Sequence, residues 1–213
     1  MRFDGKKLLL YAVTDRGWVR GKTLEEQVEE ALAGGVTCLQ LREKTMEESA
    51  FAAEAITVKR LCHAHGVPLI INDSLSVAMK AGADGIHVGQ DDISPEQVRK
   101  IAGKDFIVGV TAKTVEQARR AESAGADYLG VGAVFSSPTK KNAIRITTEQ
   151  LHEICTAVSV PAVAIGGITY DNIGLLRGGG MCGVAVVSAL FAADDIGAAA
   201  VQLKKRAAEI VGK

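Results

Sequence analysis

Short apolar runs alternate with amphipathic stretches along almost the whole chain. The runs "LLLYAVT" (8–14), "TCLQLRE" (37–43), "VPLIIN" (67–72), "GIHVG" (85–89), "FIVGVT" (106–111), "DYLGVGAV" (127–134), "PAVAIG" (161–166) and "CGVAVVS" (182–188) have the length and composition of buried parallel strands. Between them, "TLEEQVEEALAGG", "SPEQVRKIAGK", "TVEQARRAESAGA" and "TTEQLHEICTAV" read as amphipathic helices. Several open on Ser or Thr followed by Glu, and several close at Gly, as helix start and stop signals do. The small-residue joints "GGV" (34–36) and "AGA" (81–83 and 124–126) let the chain turn tightly beneath the next strand. About eight such units predict an α/β fold, a (β/α)8 barrel occupying residues 1–213 as one domain. A doubly wound open sheet is the alternative. It needs fewer repeats and would place a Gly-rich loop after the first strand, where "TDRGW" stands instead.

Composition narrows the function classes. The 213 residues suffice for one sizeable core, and 25 Lys plus Arg balance 25 Asp plus Glu, so no basic field exists to attract nucleic acid or a membrane. Aromatics at 4% disfavour base-stacking platforms. The opening apolar run is too short for a secretory signal, and no run approaches the length that spans a bilayer. Cys38, Cys62, Cys155 and Cys182 lack CxxC spacing and sit among apolar residues, so reduced structural thiols are expected. A cytoplasmic protein acting on small molecules is the default; a homodimer is one assembly open to it, and the sequence does not fix the oligomeric state.

In such a barrel the reactive face is the C-terminal end of the strands. Chemistry-bearing residues gather there: Asp15, then Gln40, Arg42 and Lys44, Asn72 and Asp73, Gln90 to Asp92, Thr111, Ser136 to Lys140, Gly166 and Gly167, and Ser188. In "QLREK", residues 40, 42 and 44 project on one face of an extended strand while Leu39 and Leu41 take the other. Two cations and an amide on one face suit a phosphate, unless Arg42 and Lys44 merely pair with Glu43, Glu47 or Glu48. Asp73 and Asp92 end neighbouring strands. They would either hold a hard cation, Mg2+, or cap the helices that follow them. His87, inside an apolar run, is expected to be a core histidine bonded to backbone.

The last loops suggest a second anion site. "FSSPTKK" (135–141) offers hydroxyls and Lys140, or simply a polar turn around Pro138. "IGG" after the seventh strand and "VVS" after the eighth match the usual phosphate site of these barrels. One site suiting a diphosphate and one suiting a monophosphate would serve a reaction that joins two such fragments.

Eight stretches in this order, "YAVTD", "QLREK", "IIND", "GIHVGQDD", "VGVT", "GVGAVFSSPTKKNA", "AIGGI" and "VAVVSALF", together resemble the thiamine phosphate synthase family across nearly the whole chain. The resemblance implies joining of hydroxymethylpyrimidine diphosphate to hydroxyethylthiazole phosphate with Mg2+, through a pyrimidine-stabilised cation captured by the thiazole nitrogen. Carried over by position, Gln40, Leu41, Arg42, Glu43, Lys44 and Asn72 would form the pyrimidine diphosphate site, and Asp73 and Asp92 would bind Mg2+. Thr111 stands where the family commonly has Ser, and Lys140 would touch the diphosphate. Ser137, Pro138, Thr139, Gly167, Val187 and Ser188 would take the thiazole phosphate. Arg42, Lys44, Asn72, Thr111 and Lys140 would carry the catalytic roles. The family loop usually reads Pro-Thr-x-Thr-Lys, whereas Ser136-Ser137-Pro138-Thr139-Lys140 displaces the proline and keeps the hydroxyls. The competing readings are a non-catalytic, ligand-binding relative and a sugar-phosphate isomerase on a similar barrel. The latter would leave "QLREK" without a purpose.

Overall fold

A computed structural model describes residues 3–19, 21–136 and 144–211. Eight parallel strands close into a barrel in sequence order. They are β1 (Leu10–Val13), β2 (Cys38–Leu41), β3 (Leu69–Asn72), β4 (Gly85–Val88), β5 (Ile107–Ala112), β6 (Tyr128–Gly132), β7 (Ala162–Ile165) and β8 (Gly183–Val186). The helices are α1 (Leu24–Ala33), α2 (Glu48–Ala64), α3 (Leu75–Ala81), α4 (Pro95–Ala102), α5 (Val115–Ser123), α6 (Thr148–Thr156), α7 (Ser188–Phe191) and α8 (Ile196–Val211). The crossover from β7 to β8 carries only a 3-10 turn, Ile173–Leu176. The expected (β/α)8 barrel is the observed fold.

The period of two along each strand sorts side chains into two cores. Tyr11, Val13, Cys38, Ile70, Tyr128, Val163 and Ala185 fill the barrel interior. Leu10, Ala12, Leu39, Leu41, Ile71, Ile86, Val108 and Leu129 belong to the larger core between sheet and helices. The Tyr128 ring needs its space: a Cβ on Gly109, its register partner on β5, would lie 2.1 Å from the ring carbon that bears the hydroxyl. The apolar pattern suggested that the first strand begins at Leu8. Instead Leu8 closes a 3-10 turn, Gly5–Leu8, and packs into the interior cluster.

Local signals place the strand ends. Thr23, Ser94 and Thr147 each make a reciprocal capping box, with Glu26, Gln97 and Gln150. At the opposite end of the barrel, the residue before a strand reaches back to the start of the preceding one. Thr37 Oγ1 accepts from the Leu10 N–H at 3.0 Å, and Asp84 and Asp127 accept from Leu69 and Val108 N–H, both at 2.8 Å. These contacts pair donors the ladder leaves open. The four thiols are unpaired, and burial pushes Cys62 and Cys155 up to about 12. Among the described residues, no helix is long and apolar enough to cross a membrane.

Candidate active site

Strand β2 delivers Gln40 inward as its last interior side chain, 4% exposed, and the chain then emerges at the barrel mouth. Arg42 is held there from β1: its N–H donates to Thr14 Oγ1 at 2.9 Å, and its guanidinium lies 3.5 Å from Asp15 Oδ2. Two of the acidic neighbours expected to compete for Arg42, Glu43 and Glu48, are engaged elsewhere. Glu43 pairs with Arg16 at 2.8 Å, and Arg16 also meets Glu54. Burial holds the Glu43 carboxyl above its usual range, and the Arg16 charge opposes that shift. Glu48 pairs with Lys80 at 2.5 Å. Lys44 is exposed. The Leu41 side chain is fully buried behind the sheet, so at the mouth Leu41 can offer only backbone.

Asp73 and Asp92 come together above β3 and β4. Asp73 has φ 61°, a conformation that non-Gly residues adopt rarely and Asn and Asp tolerate best. Its N–H donates to the His87 carbonyl at 2.9 Å, which ties the end of β3 to β4. Asp92 Oδ2 accepts from the Gly89 N–H at 2.7 Å, folding "GQDD" back over β4. Burial raises the Asp73 carboxyl first, the Asp92 charge and its hydrogen bond raise it further, and Lys44 and Asn72 oppose the shift. Neither aspartate caps a helix. Ser74 Oγ accepts from Val77 N–H to cap α3, and Ser94 caps α4.

Among the described residues, no cluster of three or more His, Cys, Asp and Glu side chains is arranged to hold a metal. Two apposed carboxylates leave most ligand positions to water or phosphate oxygens, the donor set that suits Mg2+ better than a soft or dedicated all-protein site.

Behind this rim, His87 meets two side-chain hydroxyls inside the barrel. Its Nδ1 lies 3.1 Å from the Tyr128 hydroxyl and its Nε2 3.0 Å from Thr111 Oγ1. The Gln90 side chain reaches across to the Thr111 carbonyl at 2.5 Å, and Arg120 donates to Gln90 Oε1 at 2.8 Å. Tyr11, Tyr128, Asp15, Arg16 and Glu54 were given no role from sequence. For the tyrosines the available signal was their inward strand phase, which marks a polar group inside the barrel.

On the far side of the mouth, Phe135 N–H donates to the Gly166 carbonyl at 2.9 Å, so the loop after β6 lies against the loop after β7. Gly167 has φ 63°, and a Cβ there would stand 2.1 Å from the Ser136 carbonyl oxygen. This loop contact therefore requires glycine at 167. Val187 and Ser188 lie at the start of α7, directly after β8. Ser137, Pro138, Thr139 and Lys140 lie outside the described residues.

Comparison with known proteins converges on one family. A family model described as "Thiamine monophosphate synthase" matches residues 10–190. The chain is 50% identical to the thiamine-phosphate synthase of Ruminiclostridium cellulolyticum over 194 residues, covering 91% of this chain and 92% of that one. It is 47% identical to the thiamine-phosphate synthase of Clostridium beijerinckii, covering 92% and 93%. Its fold matches the solved thiamine phosphate pyrophosphorylase from Pyrococcus furiosus with TM-score 0.90 and 36% identity, over 98% of this chain and 99% of that one.

Proposed function

The chain belongs to the thiamine monophosphate synthase family, and on that premise we propose that its barrel mouth joins hydroxymethylpyrimidine diphosphate to hydroxyethylthiazole phosphate, with Mg2+, to give thiamine phosphate and diphosphate. The observation that carries this reading is the apposition of Asp73, directly after β3, and Asp92, in the loop that follows β4, with Lys44 close enough to act on Asp73. A carboxylate pair facing cations is the arrangement a metal-bound diphosphate requires, and helix capping does not explain it.

In this reading Arg42 and Lys44 grip the diphosphate oxygens, with the Arg42 guanidinium aimed by Asp15. Lys140 adds a further cation, and Asn72, Gln40 and Thr111 orient the pyrimidine end. Glu43, turned toward Arg16, supports the β2 loop, and Leu41 contributes backbone. Mg2+ held by Asp73 and Asp92 would neutralise charge on the departing diphosphate. The C–O bond breaks with its electron pair leaving on diphosphate, and the thiazole nitrogen lone pair forms the new C–N bond. No proton transfer to a side chain is needed. The buried thiols, with Cys62 and Cys155 pushed up to about 12, are unsuited to act as nucleophiles. Gly167, Val187 and Ser188 would take the thiazole phosphate; Ser137, Pro138 and Thr139, which the resemblance assigns to the same phosphate, lie outside the described residues.

Mixing the two substrates with the protein, with and without Mg2+, tests this directly. Stoichiometric diphosphate and thiamine phosphate are expected only when both substrates and Mg2+ are present. Equal turnover in a chelator, or diphosphate release without the joined product, would defeat the reading.

A further inference from the structure

A line of hydrogen bonds crosses the barrel interior from one side of the mouth to the other. The Gln40 amide nitrogen donates to the Tyr11 hydroxyl at 2.8 Å, and that hydroxyl lies 2.7 Å from the Tyr128 hydroxyl. From Tyr128 it is 3.1 Å to His87 Nδ1, and from His87 Nε2 it is 3.0 Å to Thr111 Oγ1. The tyrosines are 1% and 0% exposed and their rings meet edge to face at 5.9 Å, so their hydroxyls are held together by packing.

Proton counting gives the line a direction. Each tyrosine hydroxyl has one proton to donate. Tyr11 accepts from Gln40, and its own proton goes to Tyr128, because the neighbouring Cys38 thiol is the weaker acceptor. Tyr128 then donates to His87 Nδ1, which leaves the imidazole proton on Nε2, directed at Thr111. Thr111 accepts on its inner side and keeps its hydroxyl proton for the mouth. Gln40 donates inward and keeps its carbonyl oxygen for the mouth.

We propose that Tyr11 and Tyr128 are positioning residues that set, across the barrel, the hydrogen-bonding polarity shown to the pyrimidine diphosphate: an acceptor at Gln40 and a donor at Thr111. This rests on the reading that Gln40 and Thr111 face that substrate. A heterocycle carrying an amine toward β2 and a bare ring nitrogen or phosphate oxygen toward β5 matches the polarity, and the reverse arrangement does not. The tyrosines touch no substrate in this scheme. They act through Gln40 and, by way of His87, through Thr111. The barrel core by itself does not call for the hydroxyls, since phenylalanine would supply the same rings.

Tyr128→Phe keeps the ring and removes the central link. The expected result is a fall of about tenfold in kcat/KM for the pyrimidine diphosphate, the effect of roughly one net hydrogen bond, with KM for the thiazole phosphate unchanged. Gln40→Leu and Thr111→Val should be non-additive in the wild-type background and additive in Tyr128→Phe. A purely structural hydroxyl would instead lower Tm and leave both substrates' constants alone. A second measurement needs no variant: 15N NMR of the wild-type protein should find His87 protonated on Nε2 and bare on Nδ1. The opposite tautomer overturns the proposal whatever the variants do. Wild-type protein that makes no thiamine phosphate overturns the proposed function and this inference with it. Active wild type with unchanged kinetics in Tyr128→Phe overturns the inference alone.

Discussion

Asp73 lies close enough to Asp92 that burial and the Asp92 charge together hold its carboxyl above the ordinary range, although 19 positions separate them and neither caps the helix beside it. Two acids in this position repel when both are ionised, so the arrangement costs stability unless a cation or proton joins them. Mg2+ should therefore raise Tm of the wild-type protein, by up to about 2.7 kcal/mol of stabilisation at a hundredfold excess over Kd. The shift should vanish in Asp73→Asn and in Asp92→Asn. Asn is the informative replacement at 73, because it tolerates the positive φ that Ala would strain. Each single variant should lose on the order of a hundredfold in kcat/KM, and the double should be little worse, as for groups acting as a unit. Ser74→Ala and Ser94→Ala, which remove the actual caps, should each cost about 1 kcal/mol of stability and keep the Mg2+ response. Differential scanning fluorimetry with and without Mg2+ separates the two classes.

The same pair predicts a pH dependence in metal-free buffer. The folded Asp73 carboxyl sits above its ordinary 3.8, so the folded state binds the proton more tightly than the unfolded chain. The stability this gives is present below pH 3.8 and is lost as pH rises through the raised folded value. Asp92→Asn removes the repelling charge but keeps an oxygen for the Gly89 N–H. It should melt above wild type, by on the order of 2 °C, at neutral pH, and the gap should close on acidification toward the ordinary carboxylate range. A gap that persists or widens in acid would contradict the assignment of the shift to this pair.

Arg42 is fixed by Asp15 at 3.5 Å and by its own backbone bond to Thr14, so its planar fork has a defined direction. Arg42→Lys keeps the charge and loses the fork. It should reduce kcat/KM for the diphosphate substrate by on the order of a hundredfold while KM for the monophosphate changes little. Steady-state kinetics varying each substrate in turn decides it, and near-normal turnover would make Arg42 a partner of Asp15 only.

Ser188 stands across the mouth, where α7 begins. Ser188→Asp places a carboxylate at the proposed monophosphate pocket and should raise KM for the thiazole phosphate by about tenfold or more through like-charge repulsion. KM for the pyrimidine diphosphate should move much less. A parallel rise in both would merge the two pockets into one.

Interior packing gives a prediction independent of function. A Cβ on Gly109 would fall 2.1 Å from a Tyr128 ring carbon, so Gly109→Ala forces the ring or the strand to move. Equilibrium denaturation should show a loss of about 1–3 kcal/mol, the usual cost of overpacking.

The sequence by itself determined the eight strands, most of the helices between them, their Ser and Thr starts, and the end of the barrel at which polar residues collect. Those features depend on patterns of two to four residues, which a linear reading contains. It also determined that Gln40 and Arg42 leave the strand on the face opposite Leu39 and Leu41, because strand phase is local. Tertiary structure alone decided who meets whom. Arg42 found Asp15 and not the nearer glutamates, because β1 lies beside β2 and Arg16 had drawn Glu43 away. Ser74 and Ser94 took the capping roles, which left Asp73 and Asp92 to face each other. Tyr11 and Tyr128 are 117 positions apart, and only closure of the barrel brings their hydroxyls to 2.7 Å. Strand phase says which side chains point inward; closure and register decide which of them touch.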